Sequence, residues 1–444
     1  MKFKTVMKKV LSVAVVGAMV MSMAACSGGG DSAEETSSEE STESTEEATE
    51  ETADSGEGTT IKFQQWWGAE LPEGYLDDVV AQYKEDTGVT VELLTAPWAD
   101  TKTAITAGAT NGTIADIISV DGAWLAEFAD MGIITDVEAA GVDTSLASDV
   151  WEVDGTKYVV PVNVFGYPMY ANMDILNEAG VTEVPTTWSE LIDACQKVAD
   201  AGYSAFALNL GTTNANGIQN VFGGMGWASG ITIKDESGAY STEGNEGLTA
   251  LAEMFKTLYD NGGLYPGMST LEESEMTSNF ASGNCAFIMA SAATMSQFSD
   301  INFEAVVPPV QDGYEGESGI CYACWAVGIS EASENKEAAA DFINYLLGGL
   351  DGTDGSVSAG LAEQMSAFPN STVAEPDYSS APEQFQSFYE AYQDCYIINE
   401  YTGLPNASDV MTSMTNDLTK YLEGDLDCET MLSNWQGYLD EAGQ

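Results

Sequence analysis

The sequence contains no arginine and no histidine, and its 13 basic residues, all lysine, face 71 acids, for a formal net charge of -58. Without imidazole there is no Ser-His-Asp triad and no His-ligated zinc. So little positive charge excludes nucleic acid, whose phosphates need basic stripes. Anionic ligands are disfavoured too, because carboxylate and phosphate sites favour the forked donors of guanidinium. An uncharged ligand is the easiest to accommodate; a cation, or an oligosaccharide carrying amino groups, stays open. Long apolar runs are also missing, since no internal stretch reaches the roughly 18 residues that span a bilayer. Cysteine is sparse. Beyond Cys26 there are Cys195, Cys285, Cys321, Cys324, Cys395 and Cys428. Cys321-Tyr322-Ala323-Cys324 has redox or zinc spacing, but zinc needs four ligands and no second pair accompanies it. These thiols read as small buried side chains, with a structural disulfide as the alternative.

What is present points to a secreted body on a tether. Lys2, Lys4, Lys8 and Lys9 precede an apolar segment over residues 10–23, the pattern of a signal peptide covering 1–25. Met23-Ala24-Ala25-Cys26 resembles the lipobox of bacterial lipoproteins, which implies lipidation of Cys26. Residues 26–58 then form a linker of Ser, Thr, Glu, Ala and Gly, with twelve acids over 31–58. Such a segment buries too little apolar area to fold and repels itself. The rest of the 444 residues, with 44% hydrophobic and 10% aromatic content overall, is long enough for two cores.

The body opens with Thr60-Ile61-Lys62-Phe63-Gln64-Gln65, a strand running into Trp66-Trp67. Helical spacing of Leu76, Val79, Val80 and Tyr83 follows, ending at Gly88. A second strand lies over 89–94, a short helix over 100–108 and a buried strand over 115–120. This β-α-β-α-β order predicts a mostly parallel sheet flanked by helices, with ligands beyond the carboxyl ends of the strands. Trp66, Trp67, Trp98 and Asp121 all stand just past such ends. Thr187 and Glu190 have the spacing of a capping box before Trp188, and Asn335-Lys336-Glu337 opens a helix with an apolar face of Ala339, Phe342, Ile343 and Leu346.

Five stretches together resemble the extracellular solute-binding proteins of carbohydrate ABC importers, the group that includes maltose-binding protein. They are the opening strand with Tyr83-Lys84-Glu85-Asp86-Thr87-Gly88-Val89; Gly112-Thr113-Ile114-Ala115-Asp116-Ile117; Asn172-Met173-Asp174 leading to Pro185-Thr186-Thr187-Trp188; Phe280-Ala281-Ser282-Gly283-Asn284; and Val327-Gly328-Ile329-Ser330 before Asn335. Ala115 stands where proline is usual, and the family's tryptophan after Phe-x-x-Gly is missing, with Ser291-Ala292 near its place. The resemblance implies a two-lobed α/β fold, each lobe a mostly parallel sheet with helices, and a ligand cleft between lobes. Lobe 1 would comprise 59–162 and 306–361, and lobe 2 would comprise 163–305 and 362–444. Crossovers are expected near 161–166, 303–309 and 367–369, and closure of the lobes on a ligand would signal occupancy.

The implied function is capture of a neutral sugar or oligosaccharide for an ABC permease. The protein is expected to be a monomer, lipid-anchored outside the cell, without cofactor or metal and without enzymatic activity. Sugars offer an apolar face to aromatic rings and a rim of hydroxyls to carboxylates and amides. Expected stacking residues are Trp67, Trp227 and Trp325, then Trp98, Tyr167 and Tyr401. Expected polar contacts are Glu70, Asp121, Asn216 and Gln219. Two alternatives remain: the same fold binding a polyamine or peptide, and a secreted glycan-active enzyme, which would need two facing carboxylates.

Overall fold

A computed structural model describes residues 58–235 and 237–443. The basic leader, Cys26 and the acidic linker through residue 57 lie outside the described residues. Among the described residues no helix is long and apolar enough to cross a membrane.

Alternation makes the first strand, β1 (Thr60–Gln65): Ile61, Phe63 and Gln65 turn inward and Lys62 outward. The strands that follow are β2 (Thr90–Thr95), β3 (Ile117–Ser119), β4 (Trp151–Val153), β5 (Thr156–Gly166), β6 (Met169–Asn172), β7 (Ser204–Phe206), β8 (Cys285–Met289), β9 (Phe303–Val306), β10 (Gly319–Ile329), β11 (Phe368–Pro369) and β12 (Tyr396–Ile398). They form two sheets. The large one runs β11-β5-β10-β3-β1-β2, with β12 beside β10 and β4 beside β5; the small one runs β7-β8-β6-β9.

β1 is parallel to β2 and to β3, as the alternating order of strands and helices requires. β10, however, is antiparallel to both β3 and β5, and β6 is antiparallel to β8 and β9. The sheets are therefore more mixed than expected. The chain leaves the large sheet along β5 and returns along β10, so these two long neighbours run in opposite directions. The switch to the small sheet comes at Tyr167-Pro168, after β5 has continued in the large sheet through Gly166. β9 is still part of the small sheet, and β11 pairs with β5 at Val164 and Asn163.

Helices Tyr75–Thr87, Trp98–Asn111 and Lys336–Gly348 pack on the large sheet. Helices Trp188–Asp200 and Glu273–Ala281 pack on the small one, with Glu246–Asp260 against the first of these and against Ala407–Glu423. Thr187 and Glu190 do form a capping box. Asn335 instead turns its amide to Asp116 at 3.2 Å and leaves its helix uncapped by a side chain, although Ala339, Phe342, Ile343 and Leu346 are buried as the periodicity requires. All six described cysteines are free thiols, five of them from Cys195 to Cys395 and the last at Cys428.

Candidate ligand-binding site

Strand ends build one wall. β1 stops at Gln65, whose buried amide donates to Thr95 Oγ1 at 2.7 Å while its carbonyl oxygen accepts from Gly68 N at 2.8 Å. This bracket holds the short helix Trp67–Glu70 against the end of β2 and presents Glu70. Beyond β3, Asp121 accepts from Ala123 N at 2.9 Å and so caps the turn Gly122–Trp124. Its second oxygen accepts from the Trp98 indole at 3.1 Å. Trp98 lies on Trp124, with centroids 6.0 Å apart and planes 24° apart, and Trp66 meets Trp124 edge-on at 5.8 Å.

The opposite wall comes from the small-sheet half. Gly217 is obligatory there, because a Cβ would lie 1.6 Å from the Asn209 carbonyl oxygen. That close approach lets Asn216 bracket the turn, its backbone carbonyl accepting from Gln219 N and Asn220 N. The Asn216 amide donates to Glu273, at the start of helix Glu273–Ala281, and Asn220 reaches the same carboxylate at 3.5 Å. Gln219 donates to Asn220 Oδ1 at 2.9 Å.

Between these walls lies a cavity of about 1130 Å³, floored by Phe165, Tyr167 and Trp325 at the passage between the sheets. It brings together Glu70, Trp98, Asp121, Tyr167, Asn216, Gln219 and Trp325. Its electrostatics are one-sided. Glu70 keeps an open face to the cavity, yet the surrounding walls exclude enough water to push its carboxyl up to about 7; the Trp325 bond opposes the rise and Glu273 adds to it. Glu273 is also pushed up to about 7 by burial, against the stabilising bonds from Asn216 and Asn220, with Asp121 adding to the rise. Burial raises Asp121 as well, opposed by Ala123 N–H and Trp98. The Tyr167 hydroxyl is raised well above its ordinary range by burial, then by Glu273. Among the described residues Lys102 is the one base on the wall, and it pairs with Glu127 at 2.6 Å.

Three of the expected stacking residues do not reach the cavity. Trp67 is 0% exposed, with its ring flat against Trp325 and edge-on to Phe63. Trp227 is 1% exposed and donates to the buried Glu400 at 2.6 Å. Tyr401, at 2%, packs edge-on to Trp227 with its hydroxyl toward the Met414 sulfur. A ring enclosed on both faces has none to offer a ligand. Trp325 is 2% exposed and meets the cavity by its edge, because Trp67 covers one face and Phe165 abuts it. Conversely, Trp124, Asn220 and Glu273 line the cavity and were not anticipated. Trp124 carried a usable signal, being three residues past Asp121; Glu273 carried only its place in an acidic helix start.

The sequence model of the bacterial extracellular solute-binding protein family matches residues 68–348, a span that holds most of the cavity lining, Glu70, Glu273 and Trp325 included. This chain belongs to that family. Its members are binding proteins rather than enzymes, so the carboxylates of this solute-binding protein need no catalytic role. A relative in Brucella abortus (strain 2308), named only as a binding protein, is 24% identical over 284 residues, 61% of this chain and 68% of that one. Among solved structures, the GacH receptor of Streptomyces glaucescens GLA.O, determined unliganded and with acarbose and an acarbose homolog, superposes with a TM-score of 0.70. It is 18% identical, covering 86% of this chain and 98% of that one. The cyclic alpha-maltosyl-1,6-maltose binding protein of Arthrobacter globiformis gives 0.68 at 20% identity, covering 86% and 98%. At such identities the likeness establishes the shared two-lobed fold.

Proposed function

We propose that this solute-binding protein captures a sugar or oligosaccharide between its two halves and hands it to an ABC permease when the halves close. The observation that carries the reading is the cavity itself: indole rings on the large-sheet wall face amides and carboxylates on the small-sheet wall. A pyranose needs both, its C–H face on a ring and its hydroxyls on acceptors. Trp98, backed by the buried Trp124, is the ring surface in this reading, with Asn216, Gln219, Asp121 and Glu70 as hydrogen-bonding partners. The volume of about 1130 Å³ suits more than a monosaccharide. Acarbose and cyclic maltosyl-maltose, bound by the two structural relatives, support the saccharide class. With no arginine in the chain and its wall lysine already paired, the site disfavours anionic sugars.

A ligand touching both halves stabilises only the closed form, which makes closure the signal to the permease. Lipid on Cys26 would hold the body at the outer face of the cell membrane, spaced by the acidic linker. Cys26→Ser then leaves the protein in the aqueous phase of a detergent partition, whereas the parent chain enters the detergent. A thermal-shift screen against mono- and oligosaccharides tests the ligand class. A true ligand at 100 times its Kd stabilises by about 2.7 kcal/mol, and a panel without a single shift contradicts the reading.

A further inference from the structure

The two walls of the cavity present carboxylates to each other, and among the described residues that line it Lys102 is the one base. Trp325 donates to Glu70 Oε2 at 2.9 Å, and Glu70 lines the cavity. Across from it, Asn216 and Asn220 donate to Glu273 Oε2, and the Tyr167 hydroxyl bonds the same carboxylate. Asp121, past β3, and Tyr167, past β5, face the same space, and the charge of each of the three acids bears on Tyr167. Lys102, the basic residue among those lining the cavity, is committed to Glu127.

We propose that the ligand carries a protonated amine which sits between Glu70 and Glu273, so that the saccharide is an amino sugar or an oligosaccharide containing one. This rests on the saccharide reading above and narrows it. When the halves close on an uncharged glycan, two carboxylates lose water and gain only hydroxyl donors. Burying like charges without a partner is costly, so they would have to take up protons. An ammonium group changes the balance. It has three N–H donors, enough to reach both carboxylates at once, and it brings the positive charge that the protein withholds. The half-buried indole of Trp98, backed by Trp124, remains available for the sugar face beside it. Glu70 belongs to the large-sheet half and Glu273 to the small-sheet half, so one amine would tie the two together and couple ligand charge to closure.

The test is calorimetric titration of the purified protein with matched oligosaccharides of one backbone: β-1,4-linked glucosamine oligomers, their N-acetylated forms and the corresponding glucose oligomers. Spermidine serves as a cation without a sugar. The expected result is binding of the glucosamine oligomers about tenfold or more tighter than either uncharged set. That margin shrinks in Glu70→Gln and in Glu273→Gln. Equal or tighter binding of the uncharged oligomers overturns this inference and leaves the saccharide reading intact. Spermidine binding without any saccharide binding overturns the saccharide reading and keeps the amine site. Binding of no member of the set overturns both.

Discussion

Trp325 donates its indole N–H to Glu70 at 2.9 Å while its ring lies flat on Trp67, centroids 5.1 Å apart and planes inclined by 10°. A long crossing strand is thereby joined to the helix that presents Glu70 to the cavity. Trp325→Phe keeps a ring on Trp67 and removes the donor. Since that bond lowers the Glu70 pKa against the effect of burial, the variant should fold and its Glu70 carboxyl should titrate higher than in the parent, as read by carboxylate NMR. An unshifted Glu70 would show that the bond does not form in solution.

Tryptophans at the cavity and in the core should respond in opposite ways. Trp98 is half-buried on the wall, so Trp98→Ala should weaken a saccharide ligand by about 1–3 kcal/mol, on the scale of aromatic stacking, and should lower stability less than a core substitution, through the indole donor lost from Asp121. Trp227→Ala empties a core position and strips a donor from Glu400, which also accepts from Ile233 N and Lys234 N at 2.9 Å each. The expected loss is about 3–5 kcal/mol of stability, with ligand affinity of the folded protein unchanged. Denaturant melts combined with titrations separate the two.

The paired acids give the ligand-free protein a pH signature. Glu70 and Glu273 both rise from 4.5 to about 7 on folding, chiefly through burial. A raised carboxyl contributes stability that is fully present below the unfolded value of 4.5 and is lost as pH climbs through about 7. Melting temperature should therefore fall between pH 5 and pH 8, and Glu70→Gln or Glu273→Gln should flatten that fall. Curves of the variants parallel to the parent's would show that these groups do not titrate in this range.

Gly217→Ala tests the architecture of the small-sheet wall. The added methyl would sit 1.6 Å from the Asn209 carbonyl oxygen, so the turn must move and take Asn216 off Glu273. The expected outcome is about 1–3 kcal/mol of lost stability together with weakened ligand binding. Full retention of binding would place the ligand away from this turn.

The sequence was most informative where backbone position alone decides the outcome. Trp98, Asp121 and Glu70 follow the ends of strands, and the carboxyl edge of an α/β sheet faces its cleft whatever the side chain. It was least informative where rotation about a short helix decides. Trp66 and Trp67 are neighbours in sequence, yet the first lines the cavity and the second packs on Trp325. Trp227 sits among glycines, which suggested an exposed loop; those glycines instead allow close helical packing, with Gly226 against Leu251 and Gly224 against Met289. Glu273 was invisible because its importance comes from Asn216 and Asn220, more than fifty residues upstream. The antiparallel pairing of β5 and β10 follows from the chain's departure and return, which strand patterning does not encode.

Calorimetric titration of one saccharide hit against the parent protein, Trp98→Ala and Asn216→Ala tests the central claim most directly, because these residues stand on different walls. A ligand held between the halves loses about 1 kcal/mol or more from each substitution. A ligand whose affinity responds to only one of them, or to neither, is not bound in this cleft.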